Sequence, residues 1–201
     1  GYVMGDGDLV YEKLKSIGVN IELIDINVIE NGDLDKFDTI IMGIRAYNVN
    51  DILNSKNELL FDYAKRGGNL LIQYNTTRNL LTKKLTPFYL NLSRDRVTEE
   101  DSPVKILTPL HRALNFPHKI TSEDFENWVQ ERGLYFPNKW DKNFIPMLSM
   151  NDKNENEKLG SLLIGNHGKG KIIYTGLSFF RQIPSGVIGA YRLLINLISL
   201  E

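Results

Sequence analysis

FDTIIMGIRAYNVNDILNSKNELLFDYAKRGGNLLIQY, residues Phe37 to Tyr74, is the stretch that decides the fold class. Phe37 to Met42 is a mostly apolar run that ends at Gly43. Ile52 to Ala64 repeats its apolar residues at helical spacing until Gly67-Gly68 stops it, and Asn69 to Tyr74 is a second apolar strand. The same rhythm precedes this stretch. Tyr2 to Met4 reads as a short strand, Leu9 to Ile17 as a helix with Leu9, Val10, Leu14 and Ile17 on one face and Gly18 at its end, and Val19 to Ile26 as an alternating strand. Strands separated by helices of about a dozen residues require right-handed crossovers, so the spacing predicts a mostly parallel sheet covered on both faces.

Downstream the rhythm breaks and then returns. Residues 76–158 hold six of the seven prolines, both tryptophans and two of the three histidines, and are expected to form an irregular insertion over the sheet. Within it, Thr121 is expected to cap a helix running toward Gln130, with Asp124 in an acidic first turn. Gly160 to Ile164 and Lys171 to Thr175 flank the turn Asn166-His167-Gly168-Lys169-Gly170 as a hairpin, and Val187 to Leu200 reads as a closing helix. The 201 residues are read as one domain. Because the sequence opens directly on a strand end, it is also read as a piece of a longer protein.

Composition narrows the chemistry. Hydrophobic residues make up 42% and charged residues 24%, the balance of an ordinary globular domain. Twenty-four Lys and Arg against twenty-five Asp and Glu leave a net charge of -1, without the basic footprint of a nucleic-acid binder, and no apolar run reaches the length of a membrane span. The absence of cysteine removes disulfides, thiolate metal sites and thiol nucleophiles. His111, His118 and His167 lack zinc-site spacing, and Glu99-Glu100-Asp101 lacks the alternation of a calcium loop, so neither a metal nor a cofactor is expected. Gly5-Asp6-Gly7-Asp8 sits where a dinucleotide fold carries Gly-x-Gly-x-x-Gly, but Val10 replaces the third glycine and two aspartates would repel a pyrophosphate. Gly176-Leu177-Ser178-Phe179-Phe180 misses the second glycine of a nucleophile elbow.

One positional pattern remains. An open parallel sheet binds ligands beyond the carboxyl ends of its strands, and those ends carry Arg45, Tyr47 and Asn48, then Tyr74, Asn75 and Arg78, then Arg181. These seven residues are the ligand-binding candidates, expected to converge on one partly exposed pocket. Guanidinium groups with tyrosine and asparagine suit a carboxylate, a phosphate or a sugar hydroxyl array. The opposing expectation is that the arginines pair structurally with the acids of Ser93-Arg94-Asp95-Arg96 and Glu123-Asp124.

At Gly43 to Asn48, Gln73-Tyr74-Asn75, Leu92 to Val97, Trp128 to Phe136 and Tyr174 to Phe180, the sequence resembles the C-terminal region of long PIG-L (LmbE-like) deacetylases over essentially its full length. That region is similar in turn to class I glutamine amidotransferase-like domains of the ThuA-like group, which implies a flavodoxin-like three-layer sandwich with a C-terminal hairpin. An active amidotransferase of this kind would carry its cysteine after the strand at Leu70 to Tyr74 and its His-x-Glu after Ile172 to Thr175. Here those places hold Tyr74-Asn75-Thr76 and Leu177-Ser178-Phe179. The resemblance therefore implies a non-catalytic accessory domain, with the zinc-dependent deacetylase domain upstream in the same polypeptide as its partner and a carbohydrate or small anionic ligand in the crevice. It also implies a location outside the cytoplasm. Two alternatives stand beside it: a ThuA-like sugar-processing enzyme using Asp8, Asp124 or Glu131 as acid or base, and a purely structural interaction domain.

Overall fold

The computed structural model describes residues 1–200. The first strand, β1 (Tyr2–Val3), leads into α1 (Val10–Ser16); β2 (Thr39–Met42) is followed by the single-turn α2 (Ala46–Val49) and by α3 (Leu53–Arg66); β3 (Asn69–Ile72) completes this half. Next come β4 (Leu90–Val97), β5 (Val104–Ile106), β6 (Gly133–Trp140), β7 (Phe144–Pro146) and β8 (Leu148–Met150). The chain ends with β9 (Leu162–His167), β10 (Gly170–Thr175), the short α4 (Phe179–Gln182) and α5 (Ile188–Ile198).

The central sheet has six strands in the order β1-β2-β3-β10-β9-β7. Pairing is parallel from β1 through β2 and β3 to β10 and antiparallel across the β9–β10 hairpin and from β9 to β7. Successive side chains of a strand point to opposite faces, and both faces here are apolar. Ile41, Leu71 and Ile173 pack with Val10 and Leu14 of α1 and with Leu193, Leu194 and Leu197 of α5. Ile40, Met42, Leu70, Ile72, Ile172 and Tyr174 pack on the other side with Leu53, Leu60 and Phe61 of α3. Two apolar faces on each strand leave no register that exposes water-compatible residues, so the sheet has to be covered twice.

Three expectations need correction. The strand expected over Val19 to Ile26 shrinks to one parallel bridge between Leu23 and Tyr2, because the Asp25 carboxylate accepts the Asn27 backbone N–H at 2.9 Å and turns the chain away from the sheet edge. The helix expected from Thr121 toward Gln130 is one 3-10 turn, Ser122–Phe125, although the expected reciprocal cap between Thr121 and Asp124 is present. Asn127 and Gln130 adopt left-handed backbone angles (φ 58° and 67°) that no helix accommodates, and the buried Trp128 donates its indole N–H to the Asp124 carbonyl instead. The 76–158 segment, expected to be irregular, forms two antiparallel pairs, β4 with β6 and β5 with β8, and lends β7 to the central sheet. Four of its six prolines, Pro87, Pro103, Pro109 and Pro117, lie in the connecting loops, and only Pro137 in the bulged β6 and Pro146 at the end of β7 fall within strands.

Loops of this segment are tied by one carboxylate. Asp152 accepts the Thr98 and Glu99 backbone N–H groups and the Thr98 and Ser102 hydroxyls at 2.8–3.0 Å. Burial raises its pKa, but these four donors outweigh burial and hold it below the usual carboxylate value. A carboxyl group whose folded pKa is depressed stabilises the fold above its unfolded pKa, and that stability is lost as pH falls toward the folded value. Between about pH 5 and pH 3, wild type is therefore expected to lose more stability than Asp152→Asn, read as urea midpoints against pH. In the same assay at neutral pH, Leu194→Ala should cost about 2–5 kcal/mol, whereas the exposed Ile188→Ala should stay within about 0.5 kcal/mol.

Candidate functional site

The carboxyl ends of β1, β2 and β3 meet in a buried polar knot. Asp8, in the turn after β1, accepts the Tyr2 hydroxyl at 2.6 Å, the Val10 backbone N–H at 3.0 Å and the Ile44 backbone N–H at 3.1 Å. Gln73 follows β3 and donates its amide to the same Tyr2 hydroxyl at 3.2 Å. Val10 and Ile44 carry the N–H groups that a bound phosphate would use at the head of α1 and in the β2 turn; the protein's own carboxylate occupies both. The turns also touch. A Cβ at Gly5 would lie 1.9 Å from the Ile44 carbonyl oxygen, so only glycine allows this approach. The partial glycine motif thus serves close packing of turns around an aspartate.

The seven candidates divide into two groups. Asn75 is wholly buried, accepts the Tyr47 N–H at 3.0 Å through Oδ1 and donates to the Gln73 carbonyl at 2.9 Å. Asn48 holds the next loop by donating to the Thr76 and Arg78 carbonyls at 3.0 and 3.1 Å and accepting the Thr76 N–H at 2.9 Å. Turns beyond parallel strands leave peptide groups unpaired, and the asparagine amide, a copy of the peptide group, satisfies them. Tyr47 is fully enclosed, and its hydroxyl, buried without a partner, is held protonated by burial. Arg78 is exposed and contributes its carbonyl to the Asn48 and Thr76 side chains. These four residues build the rim without offering one continuous pocket, because Tyr47 and Asn75 present no surface.

Arg45, Tyr74 and Arg181 do converge. Tyr74 stacks on Tyr135, with ring centroids 6.1 Å apart and planes at 10°, and packs against Phe180 at 5.1 Å. Arg45 donates its backbone N–H to the Tyr74 carbonyl and pairs its guanidinium with Asp6. Arg181 pairs through Nε with Glu131 at 2.5 Å and lies over the Phe180 ring at 4.8 Å. Burial raises the Tyr74 pKa, with all four charges acting on the hydroxyl: the two arginines lower it and the two carboxylates raise it. The arginines do pair with acids, but Asp6 and Glu131 are the partners; Asp124 pairs with Arg192 at 2.7 Å. Strain gathers here. Arg45 and Tyr135 are both left-handed, at φ 55° and 52°, a conformation that costs a bulky side chain about 1–3 kcal/mol. Sequence spacing could not place Tyr135 on the shelf, since it arrives from β6, about sixty residues after Tyr74, through a bulged pair.

Ser178 is fully buried and donates its hydroxyl to the Glu131 carbonyl at 2.7 Å. The three carboxylates considered for acid–base work are all engaged: Asp8 in the knot, Glu131 with Arg181 and Asp124 with Arg192. A separate cleft of about 560 Å³ lies between the Thr121 turn and the start of α5, with Asp124 and Arg192 in its wall. Among the described residues, no three His, Cys, Asp or Glu side chains gather as metal ligands, and no helix is long and apolar enough to cross a membrane. Replacing Asp8 with alanine leaves two buried amides and a hydroxyl without an acceptor, each worth about 1–3 kcal/mol; calorimetry should find Asp8→Ala folded, if at all, with a markedly lower Tm.

No family model matches the chain, and no curated protein matches its sequence. Among solved structures it is similar to the cytoplasmic protein STM3548 of Salmonella typhimurium (15% identity, TM-score 0.65, 96% of this chain and 86% of that one). It is also similar to a cold-adapted β-galactosidase from Rahnella sp. R3 (15% identity, TM-score 0.56), covering 94% of this chain but 26% of the galactosidase. A third similar structure is a Thermoplasma acidophilum protein provisionally assigned to GMP synthase (12% identity, TM-score 0.52, 96% of both chains). At 12 to 15% identity these likenesses show the fold alone, a mixed α/β domain whose mostly parallel central sheet ends in an antiparallel hairpin.

Proposed function

We propose that this chain is a non-catalytic, amidotransferase-like accessory domain of a longer PIG-L type deacetylase, and that its carboxyl-edge shelf contacts the ligand. The carrying observation is what stands at the two places where the resemblance implies catalytic groups: Tyr74, packed into an aromatic stack, and Ser178, buried against the Glu131 carbonyl. Neither supplies a nucleophile. A thiolate is impossible in a chain without cysteine, and burial moves the Tyr74 phenol further from ionisation at neutral pH. The parallel bridge of Leu23 to Tyr2 beside the order β1-β2-β3-β10 supports reading the sheet as flavodoxin-like, with Leu23 in the place of a second strand. The likeness to the provisional GMP synthase protein supports the same class at the level of fold.

In this reading, hydrolysis of an N-acetylated sugar belongs to the upstream domain, and the present domain positions substrate or shields the site. The location outside the cytoplasm belongs to the same proposal. The purified chain should release no ammonia from glutamine above the buffer background. Release that disappears in Tyr74→Phe or Ser178→Ala would refute the non-catalytic assignment.

A further inference from the structure

We infer that the shelf formed by Tyr74, Tyr135, Phe180 and the two arginine–carboxylate pairs takes an uncharged sugar ring rather than an anion. The inference rests on the preceding reading that this edge contacts a ligand, and goes further by naming the ligand's chemistry. Arg45 and Arg181 together carry two positive charges, and Asp6 and Glu131 return two negative ones, so the shelf is electrically neutral. An anion approaching either guanidinium meets a carboxylate already bound to it, and the attraction of one is offset by the repulsion of the other. A hydroxyl group has the opposite preference. It donates one hydrogen bond and accepts others, and an arginine–carboxylate pair presents an N–H donor beside a carboxylate acceptor.

The remaining geometry matches a ring with polar edges and an apolar face. Tyr135 and Phe180 are partly exposed, and both pack on the buried Tyr74 ring. Arg181 commits its Nε to Glu131 and rests its guanidinium on Phe180, so its position is set before any ligand arrives. Arg45, whose backbone N–H bonds the Tyr74 carbonyl, is held by its pair with Asp6 and by its strained backbone, and its buried Nε has no partner. Two donor–acceptor pairs beside an aromatic shelf can meet the hydroxyls of one ring while Tyr135 and Phe180 cover its C–H face.

The test is an NMR titration of the full chain with neutral glucose-, mannose- and N-acetylglucosamine-based trisaccharides and with a trisaccharide of uronic acids. At least one neutral sugar should shift the Tyr135, Phe180 and Arg181 resonances, and the uronate should bind at least about tenfold more weakly, the scale of one hydrogen bond to a charged group. Tyr135→Asn removes the ring with a residue that tolerates the left-handed backbone, and should abolish binding while leaving the remaining amide spectrum in place. Asp6→Asn should raise uronate affinity relative to the neutral sugar by lifting one repulsive charge. The inference is overturned if the uronate binds as tightly as the neutral sugars, if no neutral sugar moves these residues, or if Tyr135→Asn binds unchanged. Turnover of a sugar would instead refute the non-catalytic reading and leave the ligand class standing.

Discussion

The carboxylate of Asp8 is the constraint on which the carboxyl edge depends. Three donors from three segments, the Tyr2 hydroxyl and the Val10 and Ile44 amides, converge on it in a buried setting. Leaving these donors without an acceptor would cost several kcal/mol, more than any surface ion pair in the molecule can supply. The carboxylate brings the β1 and β2 turns close enough that Gly5 must be glycine, and its partner Tyr2 is held from the third strand by Gln73. In many open α/β sheets the corresponding amides are kept for a ligand's anion. Here they are spent on the fold.

That commitment explains the division among the strand-end residues. With the β1–β2 side closed by Asp8, and the β2–β3 side closed by the amides of Asn48 and Asn75, the aromatic shelf and its two ion pairs lie where the ends of β3 and β10 meet β6. The Arg45–Asp6 pair is partly exposed on both sides, so its value to stability is small, about 0–1 kcal/mol, whereas the Arg181–Glu131 pair has a buried carboxylate under a partly exposed arginine. Their consequence is electrostatic: they neutralise an edge that would otherwise carry two positive charges. Strain at Arg45 is maintained by the neighbouring Ile44 amide, which the Asp8 carboxylate holds, and the Tyr135 carbonyl is held by the Tyr174 hydroxyl at 3.0 Å.

The sheet and its two covered faces were legible from residues 2–74 because apolar strands, helical periods and glycine stops agreed with one another there. The hairpin and closing helix were legible for the same reason. The Val19 to Ile26 strand was not: its alternating pattern fits an edge strand, and only the Asx turn at Asp25 decides how much of it pairs. The Thr121 helix began with the right cap and failed at Asn127 and Gln130, where burial of Trp128 overrides local preference. At the site, the pattern of polar residues after strands found Arg45, Tyr74 and Arg181 together. It could not show that Tyr47, Asn48 and Asn75 turn inward, since an asparagine pinning a turn and one binding a ligand are identical in sequence. Tyr135 and the arginines' carboxylate partners come from contacts distant in the chain, and no spacing rule reaches them.

Amide hydrogen exchange at Val10 and Ile44 tests the central claim most directly. Val10 begins α1 and has no intrahelical partner for its N–H, and Ile44 lies in a turn, so their protection depends on the Asp8 carboxylate. Both amides should exchange as slowly as those of Ile41 and Leu71 in the middle of the sheet. Exchange at the rate of an exposed turn would mean that the carboxylate does not hold these groups, that the amides are open to an outside anion, and that the neutral, closed carboxyl edge described for this protein is wrong.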